Sequence, residues 1–419
     1  MALESYPERL FEKLIHWADK TPNNVFLAKR PAPGQDWVKL TFKQTLDQAV
    51  SIANALSKLD LSVDRPIAIL SENDLEHALL SLASSLAGIP YAPVSVAYSL
   101  QSQDFGKLRH VLDLITPGLV YASDGARFGK AIETVIPEDC KVILKTGKLE
   151  NRPHFLWEDI LKTPASQNAD ELLAKTNADT IVKFLFTSGS TKLPKAVINT
   201  NRMIASNQIM IAQALPFLRD EPPVIVDWLP WSHTFGGNHN FYMALFNGGS
   251  LYIDDGKPLP AAIGQTLDNL REISPTIYFN VPKGYDSLAQ AFKTDDALRT
   301  NFFKRLKLMF YAGASLPAPV WNALFECSEK TLGKRVPIIT SLGMTESAPA
   351  AIIVNRIGIK PGEIGVPMPG VQIKLVPSAD KMEARYSGPS ITPGYWRMPH
   401  ESHDAFDEEG CFRTGDALK

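Results

Sequence analysis

Two periods alternate along the chain. Across residues 7–20 the apolar Leu10, Phe11, Leu14, Ile15 and Trp17 recur at roughly helical spacing and predict a helix, followed by a short strand over 25–29. Residues 42–59 put Ala49, Ile52, Ala53 and Leu56 on one helical face and lead into an apolar run over 66–71, a buried strand. The pair recurs as helix 74–87, strand 90–93, helix 103–115 and strand 119–122. Helix and strand in strict alternation predict a mainly parallel, doubly wound sheet.

The chain turns polar between about 152 and 180, and then a β-rich run over 181–186 enters a loop of Ser, Thr and Gly and leaves through 196–199. A second alternating block follows, with strands expected near 224–227, 250–253, 276–279 and 308–311. From about Gly358 the helical signal fades, and PGEIGVPMPG, VQIKLVP and MEARYSG read as short strands between Gly and Pro. The expected fold is therefore α/β, with two similar lobes of mainly parallel sheet flanked by helices plus a small β-rich subdomain. The expected division is a large domain over 1–357, changing lobe near 200–225, and a subdomain over 358–419. The first residues are free to pack on the second lobe. Neither a fixed-period repeat nor a low-complexity tract interrupts this pattern.

Composition narrows the partners. At 419 residues, 45% hydrophobic and 21% charged, the chain can bury more than one core. A net charge of -2 with interspersed signs gives no footprint for nucleic acid or an anionic membrane, so any bound anion needs a local site. Cys140, Cys327 and Cys411 are far apart and form no CxxC pair, which fits a reducing cytoplasm. Charges break up the first residues where a secretory signal needs an apolar core, and no later stretch keeps about 18 apolar residues together. A homodimer stays open.

Five loops carry candidate chemistry. Thr187, Ser188, Ser190 and Thr191 offer hydroxyls, Gly189 lets backbone amides curl toward an anion, and Lys192 and Lys195 add charge, a composition suited to phosphate. This is not the GxxxxGK[ST] loop, because the exit reads as a strand; an ordinary polar turn is the bland alternative. In Trp228 to His239, the residues His233 and Phe235 could meet a flat organic substrate, with Gly236 and Gly237 leaving space. Tyr311-Ala-Gly-Ala-Ser315 and Ser341-Leu-Gly-Met-Thr-Glu346 each follow an apolar strand, at the end where α/β folds bind ligands. Glu346 suits magnesium as a hard oxygen donor, though a solvated loop acid would look the same in sequence. In Phe412-Arg-Thr-Gly-Asp416 a carboxylate after a tight turn could accept both hydroxyls of a ribose.

In this order and at these intervals the five loops resemble the adenylate-forming superfamily of acyl-CoA synthetases, luciferases and peptide-synthetase adenylation domains. Within it, PYAPVSVAYSL, QDFGKLRH, PWSHTFGGNHN, YIDDGKP, FNVPKGY, FYAGASLP and TPGYWR resemble the bacterial feruloyl-CoA synthases, over roughly residues 65–419. The resemblance implies a phosphate loop from Thr187 to Lys195 and His233 at the junction of carboxylate and α-phosphate. It implies an adenine site flanked by Gly313, Ala314 and Ser315 and by Leu342, Gly343 and Met344. Thr345 would contact the α-phosphate, Glu346 would hold magnesium, and Asp416 would bind ribose. The acid would lie near His233, Phe235, Gly237, Asn238, Ala312, Gly343, Ala348 and Pro349. His233, Thr345, Glu346 and Lys195 would carry catalysis.

The implied activity is ATP-dependent conversion of a hydroxycinnamate such as ferulate or 4-coumarate to its coenzyme A thioester, through an acyl-adenylate. Alternatives are medium-chain fatty acyl activation, loading of a carrier protein, and a non-catalytic nucleotide-binding module. An α-amino acid would want an acidic partner for its ammonium within 235–239, where none stands. Three departures from the family pattern stand out. Lys192 replaces a usual Gly and Leu342 replaces a frequent adenine-stacking aromatic. The family also continues through a hinge into a mobile domain of about 100 residues, bearing the adenylation lysine. That part is expected to be absent here, so the chain is expected to bind ATP and adenylate slowly.

Overall fold

The computed structural model describes residues 2–164, 166–187, 193–356, 358, 362–378 and 380–418. Ser188, Gly189, Ser190, Thr191 and Lys192 of the expected phosphate loop lie outside the described residues.

A seven-stranded sheet runs in the order Phe155–Leu156, Lys141–Thr146, Leu119–Asp124, Ile67–Leu70, Tyr91–Pro93, Ile181–Thr187, Lys195–Thr200. Its pairs are parallel until the last, where Lys195–Thr200 returns antiparallel to Ile181–Thr187. Ile67–Leu70 is buried at all four positions, as a central parallel strand covered on both faces must be. Helix Phe42–Leu56 starts from a capping box between Thr41 and Gln44. Helix Leu75–Ala87 is capped by Asp74, whose side chain accepts from the His77 amide, and stops at Gly88 with φ +72°.

The second half builds a four-stranded sheet, Val224–Asp227, Ser250–Ile253, Val25–Lys29, Val38–Thr41. Beside it stands a five-stranded sheet, Ile277–Asn280, Leu308–Tyr311, Ile338–Gly343, Ala350–Ile353, Val366–Pro367. The strand near the amino terminus thus pairs in parallel with Ser250–Ile253, more than two hundred residues on. Gln372–Ser378, Lys381–Ser387 and Phe412–Leu418 form a separate antiparallel sheet. The α/β class with mainly parallel sheets flanked by helices is as the alternation predicts. The opening helix is shorter than its apolar pattern, Glu12–Lys20.

One apolar core joins the first helix to the second and third sheets, and a smaller core of Val120, Leu112 and Phe128 lies on the other face of the seven-stranded sheet. Strands ending at Thr187, Asp227, Asn280, Tyr311 and Gly343 deliver the candidate loops. Among the described residues no helix is long and apolar enough to cross a membrane, and the three cysteines are free.

Candidate active site

Glu346 sits in a single 3-10 turn, Thr345–Ser347, directly after strand Ile338–Gly343. The residue is 4% exposed, and its carboxylate accepts from the Tyr395 hydroxyl at 2.9 Å. The ammonium of Lys195 lies 3.9 Å from the centre of the Tyr395 ring. The backbone explains the gathering: the Trp396 amide donates to Ala196 O, the Thr392 amide donates to Glu346 O, and Thr392 Oγ1 donates to Ile198 O. Segment 392–396 therefore lies along the strand that begins at Lys195 and carries Tyr395 over Glu346. Burial pushes the Glu346 carboxyl above its usual range, against the Tyr395 hydrogen bond and the charge of Lys195. A buried carboxylate with one phenolic donor beside a lysine is suited to a divalent cation that would offset its charge. Among the described residues no group of three or more His, Cys, Asp or Glu is assembled to hold a metal alone.

The second part is the segment after strand Val224–Asp227. Sequence periodicity finds a helix from Phe241; the structure winds already from Phe235, as a π-helix over Phe235–Asn240. Such wide turns are rare and concentrate at functional sites. Gly236 and Gly237 permit it for a packing reason, because a Cβ would stand 2.4 Å from Leu229 O at the first and 2.3 Å from Trp231 O at the second. His233 precedes the turn. Its side chain reaches solvent, yet its imidazole is enclosed closely enough that burial lowers its pKa and favours the neutral ring. Nδ1 accepts from the Phe235 amide at 3.3 Å, which leaves the proton on Nε2 as an outward donor.

Phe235 and His239 project from one face of the π-helix toward Phe279 and Phe310, with ring centres 5.0 to 6.1 Å apart. Phe235, His239, Phe279 and Phe310 are all buried, a closed aromatic wall, and strand Leu308–Tyr311, which carries Phe310, leads into Ala312, Gly313, Ala314 and Ser315. Gly313 takes φ +86° and faces open space, its nearest neighbour being Val281 Cγ1 at 3.8 Å. Gly343 is the opposite case: a Cβ there would lie 1.7 Å from Pro349 O. Ala348 is buried, while Leu342, Met344, Thr345 and Pro349 are half-buried.

His239 is a residue the motif reading passes over. Its Nδ1 lies 2.9 Å from Asn240 Oδ1, and Asn240 Nδ2 donates to Asp227 Oδ2 at 3.0 Å. Where Asp227 is ionised its carboxylate orients the Asn240 amide, and the proton of His239 then rests on Nδ1 with Nε2 an acceptor. That Nε2 is buried without a partner among the described residues. Burial takes the His239 pKa down to about 4 and the Asp227 pKa up to about 7.

Two adjacent residues of helix Asn201–Ala214 tie these parts together. Asn207 Nδ2 donates to Ala350 O at 2.7 Å, and Gln208 Nε2 donates to Asn238 O at 2.9 Å. Asn238 Nδ2 also donates to Asn199 Oδ1 and Thr234 Oγ1. Thr187 and Lys195 face each other across the strand pair that closes around the phosphate-loop positions. Asp416 stands apart in the antiparallel sheet, and among the described residues no recorded hydrogen bond joins it to the loops at Gly313 or Glu346. A cavity of about 570 Å³, lined by Ser71, Asn73, Ser95, Arg127 and Trp228 among others, opens at strand ends of the seven-stranded and four-stranded sheets. Segment 228–232 forms one of its walls, locked by Asn73, which donates to Leu229 O and accepts from the Trp231 amide.

The family model of the AMP-binding enzymes matches residues 14–396. The mitochondrial malonate–CoA ligase of Homo sapiens is 24% identical over 90% of this chain and 68% of its own length. A long-chain-fatty-acid–CoA ligase of Xenopus laevis is 22% identical over 98% and 61%, and the feruloyl-CoA synthase of Amycolatopsis sp is 23% identical over 90% and 70%. The chain thus spans about two thirds of the length of these curated relatives. Among solved structures, apo MatB from Rhodopseudomonas palustris superposes with a TM-score of 0.78 at 23% identity, covering 98% of this chain and 76% of that one. A long-chain-fatty-acid-CoA ligase from Archaeoglobus fulgidus does so with 0.81 at 17% identity, covering 100% and 83%. These likenesses carry the fold, and with the family match over residues 14–396 the chain belongs to the AMP-binding enzyme family.

Proposed function

We propose that this chain activates a hydroxycinnamate such as ferulate or 4-coumarate with ATP, as the acyl-adenylate, for transfer to coenzyme A. The observation that carries the reading is the buried aromatic wall of Phe235, His239, Phe279 and Phe310 beside the outward donor of His233, a wall the acid would have to open to reach. Rings suit the flat face of an aryl acid, and the unpartnered Nε2 of His239 suits a phenolic hydroxyl.

In the first half-reaction a carboxylate oxygen bonds to the α-phosphorus of ATP as the bond to pyrophosphate breaks. In the second, a thiolate bonds to the acyl carbon and AMP leaves. Little proton transfer is required, so the residues act by placing charge. His233 Nε2–H and the Thr345 hydroxyl offer donors where the two anions meet. Lys195 and the loop from Thr187 serve the leaving phosphates. Glu346 would hold magnesium, which when bound neutralises phosphate charge. Gly313 to Ser315 and Leu342 to Met344 offer backbone and apolar surface to adenine, and Asp416 offers its carboxylate to ribose. The cavity bounded by segment 228–232 has volume for part of a thiol co-substrate.

Calorimetric titration with ferulate, 4-coumarate, malonate and octanoate, each with magnesium and a non-hydrolysable ATP analogue, tests the reading. Saturable binding of the two phenolic acids alone is expected. Binding of malonate or octanoate in their place would overturn it.

A further inference from the structure

Lys183 lies inside strand Ile181–Thr187 and is 1% exposed. Its recorded partners are one carbonyl, Gly237 O at 2.9 Å, and the faces of Tyr91 and Tyr242, 5.5 and 5.0 Å from their centres. A carboxylate is not among them. The adjoining cavity measures about 10 Å³, too small for a chain of water that would carry the charge outward. Burying an ammonium without a counter-charge is unfavourable, and an apolar side chain of the same volume would avoid that cost. Burial drives the group toward the neutral amine, which still donates.

The acceptor is the informative partner. In the turn Phe235–Asn240 the Phe241 amide reaches back to Gly236 O, five residues away. The next three carbonyls take side-chain donors: Gly237 O from Lys183, and Asn238 O and His239 O from Gln208 at 2.9 and 3.3 Å. Donors from a strand on one side and a helix on the other thus hold the wide turn open. If it tightened to an α-helix, the directions of Phe235 and His239 would rotate away from Phe279 and Phe310.

We propose that Lys183 is a positioning residue for the acid site, holding the Gly237 carbonyl so that the turn stays wound as a π-helix and presents Phe235 and His239 to the acid. This rests on the reading that the aromatic wall receives the acid.

Lys183→Met keeps the stem and removes the donor, and Lys183→Gln keeps a donor on a shorter stem. The first readout is amide hydrogen exchange, which needs no substrate. Lys183→Met is expected to speed exchange at the Phe241 and Tyr242 amides about tenfold, the loss of one hydrogen bond, with the strands of the seven-stranded sheet unchanged. The second is binding: ferulate about tenfold weaker, ATP within about twofold, and part of the ferulate loss recovered in Lys183→Gln. Unchanged exchange at both amides would overturn the proposal, as would faster exchange throughout the sheet with ferulate and ATP weakened alike. If the unaltered chain binds no ferulate, the hydroxycinnamate reading fails and the exchange comparison alone decides the role of Lys183. Should Lys183→Met not fold, Lys183→Gln decides by the same two readouts.

Discussion

The Tyr395 hydroxyl donates to Glu346 Oε1 at 2.9 Å while the Lys195 ammonium lies 3.9 Å from the centre of the same Tyr395 ring. One phenol thus contacts both charged groups proposed to serve the phosphates. Its hydrogen bond lowers a carboxyl that burial raises, so Tyr395→Phe should raise the Glu346 pKa further. Cation binding needs the ionised form. Affinity for magnesium ATP should therefore fall as pH drops through the Glu346 pKa, and Tyr395→Phe should move that fall to higher pH. Titrating magnesium ATP affinity from the ordinary carboxylate range upward reads this shift. Glu346→Gln should remove the dependence, and a fall that persists in it would assign the effect to another group.

Asp227 makes a different pH prediction, on stability. Its carboxyl ordinarily titrates at 3.8 and is raised to about 7 by burial. Between those values the folded chain keeps a proton that the unfolded chain has lost, so stability falls as pH rises through that window and levels off above about 7. Asp227→Asn should flatten this slope in urea unfolding. Because an amide would now donate toward Asn240, the Asn240 amide should turn over and move the His239 proton from Nδ1 to Nε2. Nitrogen chemical shifts of the imidazole would report the change directly, and an unaltered tautomer would show that Asp227 does not set it.

The α/β class was legible because parallel strands buried on both faces read as apolar runs, as in Ile67–Leu70, and because the helices between them keep their period. The pairing of Val25–Lys29 with Ser250–Ile253 was not, since two short strands carry no local sign of a partner so distant in sequence. Lys141–Thr146 escaped for a related reason: a short strand between charged ends looks like a loop. The motif loops could be found from composition, but what surrounds them could not. Tyr395 reads as a buried aromatic after a glycine until the backbone bonds of 392–396 lay it on Glu346. Lys183 and Gln208 look like surface residues until the turn they hold is known, and the π-helix has no period that apolar spacing reveals.

Two glycines separate packing from conformational need. At Gly343 a Cβ would meet Pro349 O at 1.7 Å, and backbone lies on both sides of the contact. Gly343→Ala should cost about 3 kcal/mol, the upper range for an overfilled site, and should weaken acid and ATP together because it displaces the 3-10 turn. Gly264 lies in helix Ile263–Glu272 with nothing within 4 Å of a Cβ. Gly264→Ala should stabilise by about 0.5 to 1 kcal/mol. Urea unfolding of the two variants checks the contrast, and a mild Gly343→Ala would mean that the strands there separate easily.

His239 gives the sharpest test of substrate class. Above about pH 7, with Asp227 ionised and the proton on Nδ1, its buried Nε2 accepts, and cinnamate lacks the hydroxyl that 4-coumarate can donate to it. A site with a buried acceptor rejects the analogue that leaves it unpaired, because desolvation of that nitrogen is then uncompensated. The unaltered chain should therefore bind 4-coumarate about tenfold or more above cinnamate, a difference of about 1 to 3 kcal/mol. His239→Phe keeps a ring against Phe279 and Phe310, removes the acceptor, and should bring the two acids to within about threefold, with ATP affinity unchanged. Calorimetry with both acids decides it. A preference for 4-coumarate that survives His239→Phe would place the hydroxyl elsewhere on the wall, whereas equal binding already in the unaltered chain would remove the hydroxyl from what this site reads.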